Sequence, residues 1–399
     1  MKIRKLLDYL LIICIILEFN SVYLAMVNVD FRTIILICNI IILCLNIAIL
    51  LKNRRVKKRK IIYLIMYAFF IIAFVFLNRI KGKLIINFLL YFLISFSLYC
   101  IFFMLNTSNE IRKFLLKFKN VILVLAYMFM FFYLFSTVLK IIPNSNIVKV
   151  KWGTDIRNIK GYYGIYFEMQ NMIVFGKSIY RNSGIFVEGT MNSAIMFIAL
   201  IIDNLFEERK NKINNIVFIL NIITSFSTTG IIATVLFYAA MFIKSKKNKR
   251  VKALVLPVAM IIGSIFIILA LSAKMDTSSY TARMDDYIAC YKAWKTNPIF
   301  GCGYRDNTKI IQFMSKSRIN NIGLSNSVSA LLAQSGIYLG IIYFIPFLKL
   351  IFSKKIKNIN IKLFTFFVFF LFATTIFTYT LLIIMLLAIG WVYEQQEDT

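Results

Sequence analysis

Long apolar segments separated by short basic clusters recur along the whole chain. A membrane-spanning helix needs about 20 consecutive apolar residues. Segments of roughly that length predict spans from about residue 6 onward and at 31–51, 61–77, 84–105, 121–142, 190–206, 253–271 and 327–352. Two longer segments, 216–243 and 363–393, carry Ser and Thr near their middles, so each is predicted to form two short helices. The pattern therefore predicts an all-α, polytopic transmembrane bundle of about 12 helices, or about 11.

The composition excludes a soluble enzyme. Apolar and aromatic residues make up 60% of the chain, only 16% of its residues are charged, and its mean hydropathy is +0.79. Ordinary globular chains are about 45–50% apolar and about 25% charged. The first apolar segment follows a basic start as in a signal peptide, but it lacks a cleavage site and is predicted to span the membrane. Residues 1–399 are thus predicted to form a single integral membrane domain.

The basic residues indicate topology rather than a nucleic-acid partner. The chain has 47 Lys and Arg against 17 Asp and Glu, a net charge of +30, and the basic clusters lie at the ends of apolar segments. The positive-inside rule places clusters such as 52–60 and 244–252 in the cytoplasm, and both termini with them. Two long loops, 143–189 and 272–326, are then outside the cell membrane. Function is predicted there, because loops of this length are uncommon unless they bind or catalyse something.

No metal and no other cofactor is expected. Histidine is absent, and the six cysteines have no CxxC spacing, so the commonest metal ligands are missing. Any chemistry must use carboxylates, hydroxyls, Arg or Lys. Cys290 and Cys302 share the second outer loop, and their spacing leaves open whether they form a disulfide.

The first outer loop ends with an arginine and a glutamate next to an apolar helix. A charge at a membrane boundary usually faces a cavity or a partner, because facing lipid is costly. One interpretation is an ion pair between Arg181 and Glu188, or interfacial snorkelling. The other is that Arg181 binds an anion while Glu188 acts as a base or orients a substrate.

The second outer loop contains a predicted surface helix from 280 to 297. Apolar residues recur there at helical spacing, with Tyr and Trp among them, and other positions hold Arg283, Asp285 and Asp286. Such a helix is predicted to lie along the membrane surface, although it could equally cover the bundle. The outer loops with their flanks, 140–189 and 272–326, hold 15 Lys or Arg against 7 Asp or Glu. This excess predicts an anionic ligand, and arginine suits bidentate phosphate recognition; the arginines available are Arg157, Arg181, Arg283, Arg305 and Arg318.

The order of these motifs resembles the O-antigen polymerase and ligase family, the Wzy-like membrane glycosyltransferases. The resemblance covers about residues 175–345. It consists of Arg181, Gly184, Phe186 and Glu188 before a helix; the Ser-containing break Ser225–Gly230; Arg283 followed by Asn297-Pro298, Gly301 and Gly303; and Asn326 followed by Gly336 and Gly340. The chain departs from the family pattern at Thr228, where a basic residue is common, at Gly189, where Pro is common, and at Ser325, where His is common. Because the family's ligases are thought to use a His in this loop, its absence favours the polymerase branch.

The resemblance implies a glycosyltransferase that joins polyprenyl-diphosphate-linked oligosaccharides at the outer face of the cytoplasmic membrane. Glu188 would deprotonate the acceptor hydroxyl, and Arg283 would neutralise the departing diphosphate. The predicted substrate-binding residues are Arg181, Arg305, Asp285 and Asn326, with Asp286 in reserve as a base. The implied partners are the lipid-linked oligosaccharide, the lipid bilayer and, among proteins, a chain-length regulator or a flippase.

Two rival functions remain open at this point. A flippase for lipid-linked oligosaccharide would need charged residues within its helices, where this chain offers little besides Asp8, Glu18 and Asp203. A ligase or related enzyme could use Asp30 in the first outer turn as its base. Because Asp30 lies next to Arg32, the alternative interpretation of this pair is an interfacial ion pair.

Overall fold

The computed structural model describes residues 2–397 except for 28, 57, 79, 81, 154, 175–176, 210, 246–277, 317 and 319–322. Among the described residues the fold is mostly helical, with 14 helices and 71% helix. The predicted all-α polytopic class is confirmed. The predicted span 253–271, most of the basic cluster 244–252 and the first residues of the outer loop 272–326 lie outside the described residues.

The bounds of the helices follow the hydropathy pattern closely. They are α1 (Lys2–Glu18), α2 (Val22–Ala25), α3 (Phe31–Leu51), α4 (Lys58–Leu77), α5 (Lys83–Leu105), α6 (Ser108–Val138), α7 (Gly189–Phe206), α8 (Lys212–Thr224), α9 (Thr228–Lys244), α10 (Ser278–Thr296), α11 (Thr308–Phe313), α12 (Ser327–Phe352), α13 (Ile359–Thr374) and α14 (Leu381–Glu397). Six of them, α3 to α7 and α12, are long and apolar enough to cross a membrane. The segments 216–243 and 363–393 are each confirmed as two short helices.

Helix α6 begins earlier than predicted. The apolar pattern predicted a span from 121, whereas the helix starts at Ser108, with Thr107 and Glu110 forming a capping box. Hydropathy placed the start too late because charged residues fill the first turns of α6. Several of these side chains form ion pairs with residues of α1 or α7; the buried Lys119, for example, lies 3.1 Å from Asp203.

The bundle has two ends that differ in their side chains. At the first, which we call the ion-pair end, the start of α6 meets the start of α1 and the end of α7: Arg4 bonds to Glu110, and Arg112 donates to the carbonyl of Phe206. At the second, which we call the loop end, the end of α1 meets the start of α14, where the Leu381 amide donates to Glu18 at 2.6 Å. The described residues of the predicted outer loops belong to the loop end, and those of the predicted cytoplasmic cluster 52–60 belong to the ion-pair end, where Arg54 pairs with Glu110.

The first outer loop folds into two small antiparallel sheets, which the sequence analysis did not predict. Strands β1 (Asn146–Trp152), β2 (Asp155–Tyr162) and β3 (Tyr166–Glu168) form one, and β4 (Asn171–Val174) and β5 (Lys177–Tyr180) form the other. Val150 of β1 is fully buried and bridges to Met26, and the Phe167 amide donates to the Gly184 carbonyl. These contacts attach the three-stranded sheet to the bundle.

The turn 298–303 packs into a break in helix α12. The Cys302 amide donates to the Ala333 carbonyl at 2.8 Å, and the Ile337 amide donates to the Pro298 carbonyl at 3.0 Å. Gly336 interrupts α12 with φ at +64°, and a Cβ there would lie 2.2 Å from the Ile299 carbonyl oxygen. Only glycine permits both that backbone conformation and that approach. The last two family-like motifs therefore form a single structural unit.

The predicted surface helix is confirmed as α10, and its two faces are sharply different. Its buried face consists of small residues, among them Ala289, Cys290 and Ala293, which pack against α11 and α12. Its aromatic and aliphatic face is exposed, with Tyr291 58% accessible, as expected for a helix that lies on a membrane surface. Cys290 and Cys302 are both free thiols, and burial raises the pKa of Cys290 to about 12.

Candidate functional site

A cavity of about 530 Å³ at the loop end brings together Arg181, Glu188 and Arg283. We call it the first cavity. Its walls come from the β1–β2 hairpin, the segment before α7, helix α10, residues 323–325 and the turn after α13. Residues from both long outer loops therefore meet around one space, although they are far apart in the sequence.

Arg181 is held tightly by protein acceptors. Its Nε donates to the Ser225 carbonyl at 2.8 Å, its Nη1 donates to the Gln170 side chain at 2.7 Å, and its Nη2 reaches the Phe226 carbonyl at 3.5 Å. Burial lowers the pKa of this guanidinium, and the negative charge of Glu188 opposes that effect. Arg181 thereby ties the segment before α7 to the break between α8 and α9.

Gly189 explains one departure from the family pattern. A Cβ at this position would lie 2.7 Å from the Ser225 carbonyl oxygen and 2.9 Å from Arg181 Nε. Real Cβ atoms do not approach so closely, so a larger residue would push Ser225 and Arg181 apart. The glycine therefore permits the close packing of the first family-like motif against the Ser-containing break.

Glu188 lies half-buried at the N-cap of α7. Its Oε2 accepts a hydrogen bond from the Thr190 hydroxyl at 2.8 Å, whereas no described residue donates to its Oε1. Among the described residues Arg181 forms no ion pair with Glu188, although both line the first cavity, so the ion-pair interpretation is not what the structure shows. The carboxylate has one oxygen oriented by Thr190 and the other available to a ligand in the cavity.

Arg283 projects from α10 and is half-buried in the wall of the first cavity. It makes no hydrogen bond or ion pair with any residue that the structure describes. Arg181 is a neighbour of like charge, and the positive charge of Arg283 lowers the pKa of the Arg181 guanidinium. A guanidinium that faces a cavity without a counter-ion is a natural site for an anion.

Asp285 and Asp286 form hydrogen bonds and ion pairs with the segment that follows α10. Asp285 accepts bonds from the Ser315 amide at 3.1 Å and lies 3.5 Å from Arg318. Asp286 pairs directly with Arg318 and lines the first cavity, and burial raises the pKa of its carboxyl group. Asp285 is outside the cavity lining, so its predicted contact with substrate has no geometric support.

The remaining predicted residues lie elsewhere. Arg305 lines a separate cavity next to the first one. Asn326 caps α12, accepting bonds from the Ser329 amide at 2.9 Å and the Ser329 hydroxyl at 2.7 Å. Asp30 caps α3 in the same way through Thr33, which accounts for its carboxylate without a role as a base.

The first cavity is strongly basic. Its described lining contains five basic side chains and two acidic ones, namely Lys151, Arg157, Arg181, Arg283 and Arg318 against Glu188 and Asp286. Sequence reasoning missed Lys151 and Gln170, because it did not predict the strands that bring them there. Among the described residues no group of three His, Cys, Asp or Glu could hold a metal ion.

The chain matches one family model. Residues 213–348 match the family described as O-antigen ligase. The matched segment includes the break between α8 and α9, helix α10 with Arg283, the turn 298–303 and most of α12. No curated protein matches the chain. This match supports the resemblance of the chain to the O-antigen polymerase/ligase family.

Proposed function

We propose that this protein is a polysaccharide repeat-unit polymerase at the outer face of the cytoplasmic membrane. Its substrates would be oligosaccharides linked to polyprenyl diphosphate. The observation that carries the proposal is the first cavity, in which the unpartnered guanidinium of Arg283 and the half-buried carboxylate of Glu188 face the same space. The family match supports the general reaction class, and the absence of a loop histidine favours the polymerase branch.

In the proposed reaction a hydroxyl of one lipid-linked unit attacks the anomeric carbon of the growing chain. The new carbon–oxygen bond forms as the bond to the diphosphate breaks, so polyprenyl diphosphate leaves with the electron pair. Glu188 accepts the proton of the attacking hydroxyl. Arg283 stabilises the negative charge that develops on the diphosphate. Arg181 keeps the wall of the cavity in place, and the termini are proposed to be cytoplasmic.

Two observations weigh against the flippase alternative. Two of the acidic residues inside the helices are ion-paired, Asp8 with Lys117 at 2.5 Å and Asp203 with Lys119 at 3.1 Å, and Glu18 accepts hydrogen bonds from the protein. Charges that are already paired with one another hold helices together and are not available to bind a glycan during transport. The basic cavity lies at the loop end rather than halfway along the bundle, where transporter sites are usual.

A deletion strain tests the proposal. Loss of a polymerase should leave exported glycan one repeat long, because each unit still crosses the membrane but none is joined to another. Restoring the intact gene should restore the ladder of chain lengths, and the Glu188→Gln variant should not. Glycan length would be read on gels, normalised to the amount of this protein in the membrane.

The same strain separates the alternatives. Loss of a flippase should leave no glycan outside. Loss of a ligase should leave long chains that remain on polyprenyl diphosphate. A deletion strain with a normal ladder on its normal acceptor would refute the polymerase assignment.

A further inference from the structure

A second cavity lies beside the first one, and the reaction proposed above leaves it without a role. It measures about 250 Å³ and is lined by Arg32 and Arg305, together with Asn20, Asn307, Gln334 and the turn 376–380. Leu324 and Ile376 line both cavities. Pockets for drug-sized ligands occupy about 300–1,000 Å³, so this space suits a headgroup rather than a whole oligosaccharide.

Arg305 is fixed in place before any ligand arrives. Its Nη2 donates to the Tyr379 carbonyl at 2.8 Å. Its Cζ lies 5.1 Å from the ring centre of Tyr91 and 5.5 Å from that of Tyr379, which are distances of cation–π contacts. Ordering a guanidinium in advance reduces the entropy lost when it binds an anion.

The nearest buried carboxylate does not neutralise this cavity directly. Glu18 is 1% exposed; it accepts a hydrogen bond from the Tyr91 hydroxyl and another from the Leu381 amide at 2.6 Å. It does not line the cavity, and it forms no ion pair with Arg32 or Arg305 among the described residues. Glu18 instead orients Tyr91, whose ring packs against the Arg305 guanidinium.

Arg32 completes the cavity as a second unpaired cation. It lies half-buried in the first turn of α3 and makes no hydrogen bond or ion pair with the residues that the structure describes. No Asp or Glu is present among the described residues that line the cavity. Two guanidinium groups therefore face one small space that no described carboxylate lines, and arginine forks match phosphate oxygens.

We propose that the second cavity binds the diphosphate of a second polyprenyl-linked glycan while the first cavity holds the diphosphate of the other. This inference rests on the proposed polymerase function, which requires donor and acceptor to be held side by side. The wall shared by the cavities, Leu324 and Ile376, keeps the two anionic headgroups apart while leaving them adjacent. Arg32 and Arg305 would be the binding residues of this second subsite.

The test is a titration of the purified full-length chain in lipid nanodiscs with inorganic pyrophosphate. The wild type should bind two molecules. Arg32→Gln should weaken one site about 10- to 100-fold, as expected for the loss of charge-assisted hydrogen bonds, and Arg283→Gln should weaken the other. Lys149→Gln is the matched control, since Lys149 is exposed on β1 and lines neither cavity. Arg32→Lys, which keeps the charge but loses the fork, should bind with intermediate affinity.

A competition with farnesyl diphosphate distinguishes a lipid headgroup from a soluble diphosphate. Farnesyl diphosphate should displace pyrophosphate from the site that depends on Arg32. If it cannot, the site serves a soluble anion and the proposal is overturned. A single binding site in the wild type, or two unaltered sites in both Arg32 variants, would also overturn it.

The outcome is separable from that of the proposed function. Two diphosphate sites in a protein whose deletion leaves a normal glycan ladder would refute the polymerase function and leave the second anion site standing. A collapsed ladder with only one diphosphate site would support the polymerase and refute the second subsite.

Discussion

Several basic side chains at the ion-pair end of the bundle have carboxylate partners, whereas two arginines that line cavities at the loop end have none among the described residues. At the ion-pair end, basic residues of α1, α6 and the segment after α3 reach carboxylates. The pairs include Arg54 with Glu110 at 2.5 Å, Lys117 with Asp8 at 2.5 Å and Lys119 with Asp203 at 3.1 Å. At the loop end, Arg283 and Arg32 have no such partner among the described residues. The first group of charges joins helices, whereas the second remains available to a ligand.

The difference has an energetic meaning. Taking a guanidinium partly out of water is costly unless an opposite charge compensates it. At the ion-pair end the protein supplies that compensation, so the interaction contributes to folding. At the loop end the compensation is missing until an anion binds, so the same interaction contributes to binding. Arg181 is intermediate, because protein carbonyl and amide oxygens already occupy its donors.

The largest expected effect is on Glu188. Glu188→Gln keeps the size and the N-cap position but removes the base, and loss of a general base typically lowers the rate by about 10²- to 10⁴-fold. Chain length in the complemented deletion strain, normalised to membrane protein level, measures the effect. Thr190→Val is the companion variant: it should reduce activity less, because it removes only the hydroxyl that orients Glu188. Wild-type chain lengths in Glu188→Gln would remove this residue from the site.

The ion-pair end should respond in stability rather than activity. Lys119 and Asp203 are 4% and 0% exposed, and removing one member of a buried pair costs about 3–5 kcal/mol. Lys119→Met should therefore lower the free energy of unfolding in detergent, while the protein that remains folded still makes long chains. The control is Glu208→Gln, since Glu208 is 80% exposed in its pair with Arg112 and such surface pairs contribute little. Short chains made by folded Lys119→Met protein would contradict this division of roles.

The loop end should respond in activity at unchanged stability. Arg283→Lys retains the charge but loses the planar fork, and loss of a donor to a developing anion costs about 3–4 kcal/mol, roughly 100- to 1,000-fold in rate. The measurement is glycan chain length together with the thermal unfolding midpoint. Lys295→Gln, an exposed change on the same helix, should leave both at wild-type values. A lowered midpoint with normal chain length would show that Arg283 supports the fold instead.

Hydropathy predicted most of the fold because one simple rule holds for helices in lipid: a helix that crosses the bilayer must be apolar over about 20 residues. The predicted span 31–51 coincides with Phe31–Leu51, because its apolar length sets its extent and Asp30 caps its start. The rule failed where charges are paired inside the bundle, as at the start of α6. It also failed for β1, whose alternation of lysines with Val148 and Val150 was present in the sequence but is short. Strand pairing with β2 depends on contacts that no local pattern reveals.

The candidate site was partly predictable for a different reason. Arg181, Glu188 and Arg283 stood out as charges beside apolar helices, and all three line the first cavity. Their type indicated an anion site, but the sequence alone did not separate a positioning arginine from an unpartnered one. That distinction depends on the carbonyls of Ser225 and Phe226, which reach Arg181 only in the folded chain. Arg305 lines the second cavity instead, together with Arg32 of α3 and the turn before α14.

The smallest expected effect concerns Asn326. This prediction separates residues that cap helices at the loop end from residues that face its cavities. Its Oδ1 accepts from the Ser329 amide and hydroxyl, so Asn326→Ser should preserve the cap and long glycan chains. Asn326→Ala should cost about 0.5–2 kcal/mol of stability, measured by unfolding in detergent, with chain length per folded protein unchanged. If Asn326→Ser shortened the chains at normal stability, the amide would be acting on substrate, and the predicted binding role would be restored.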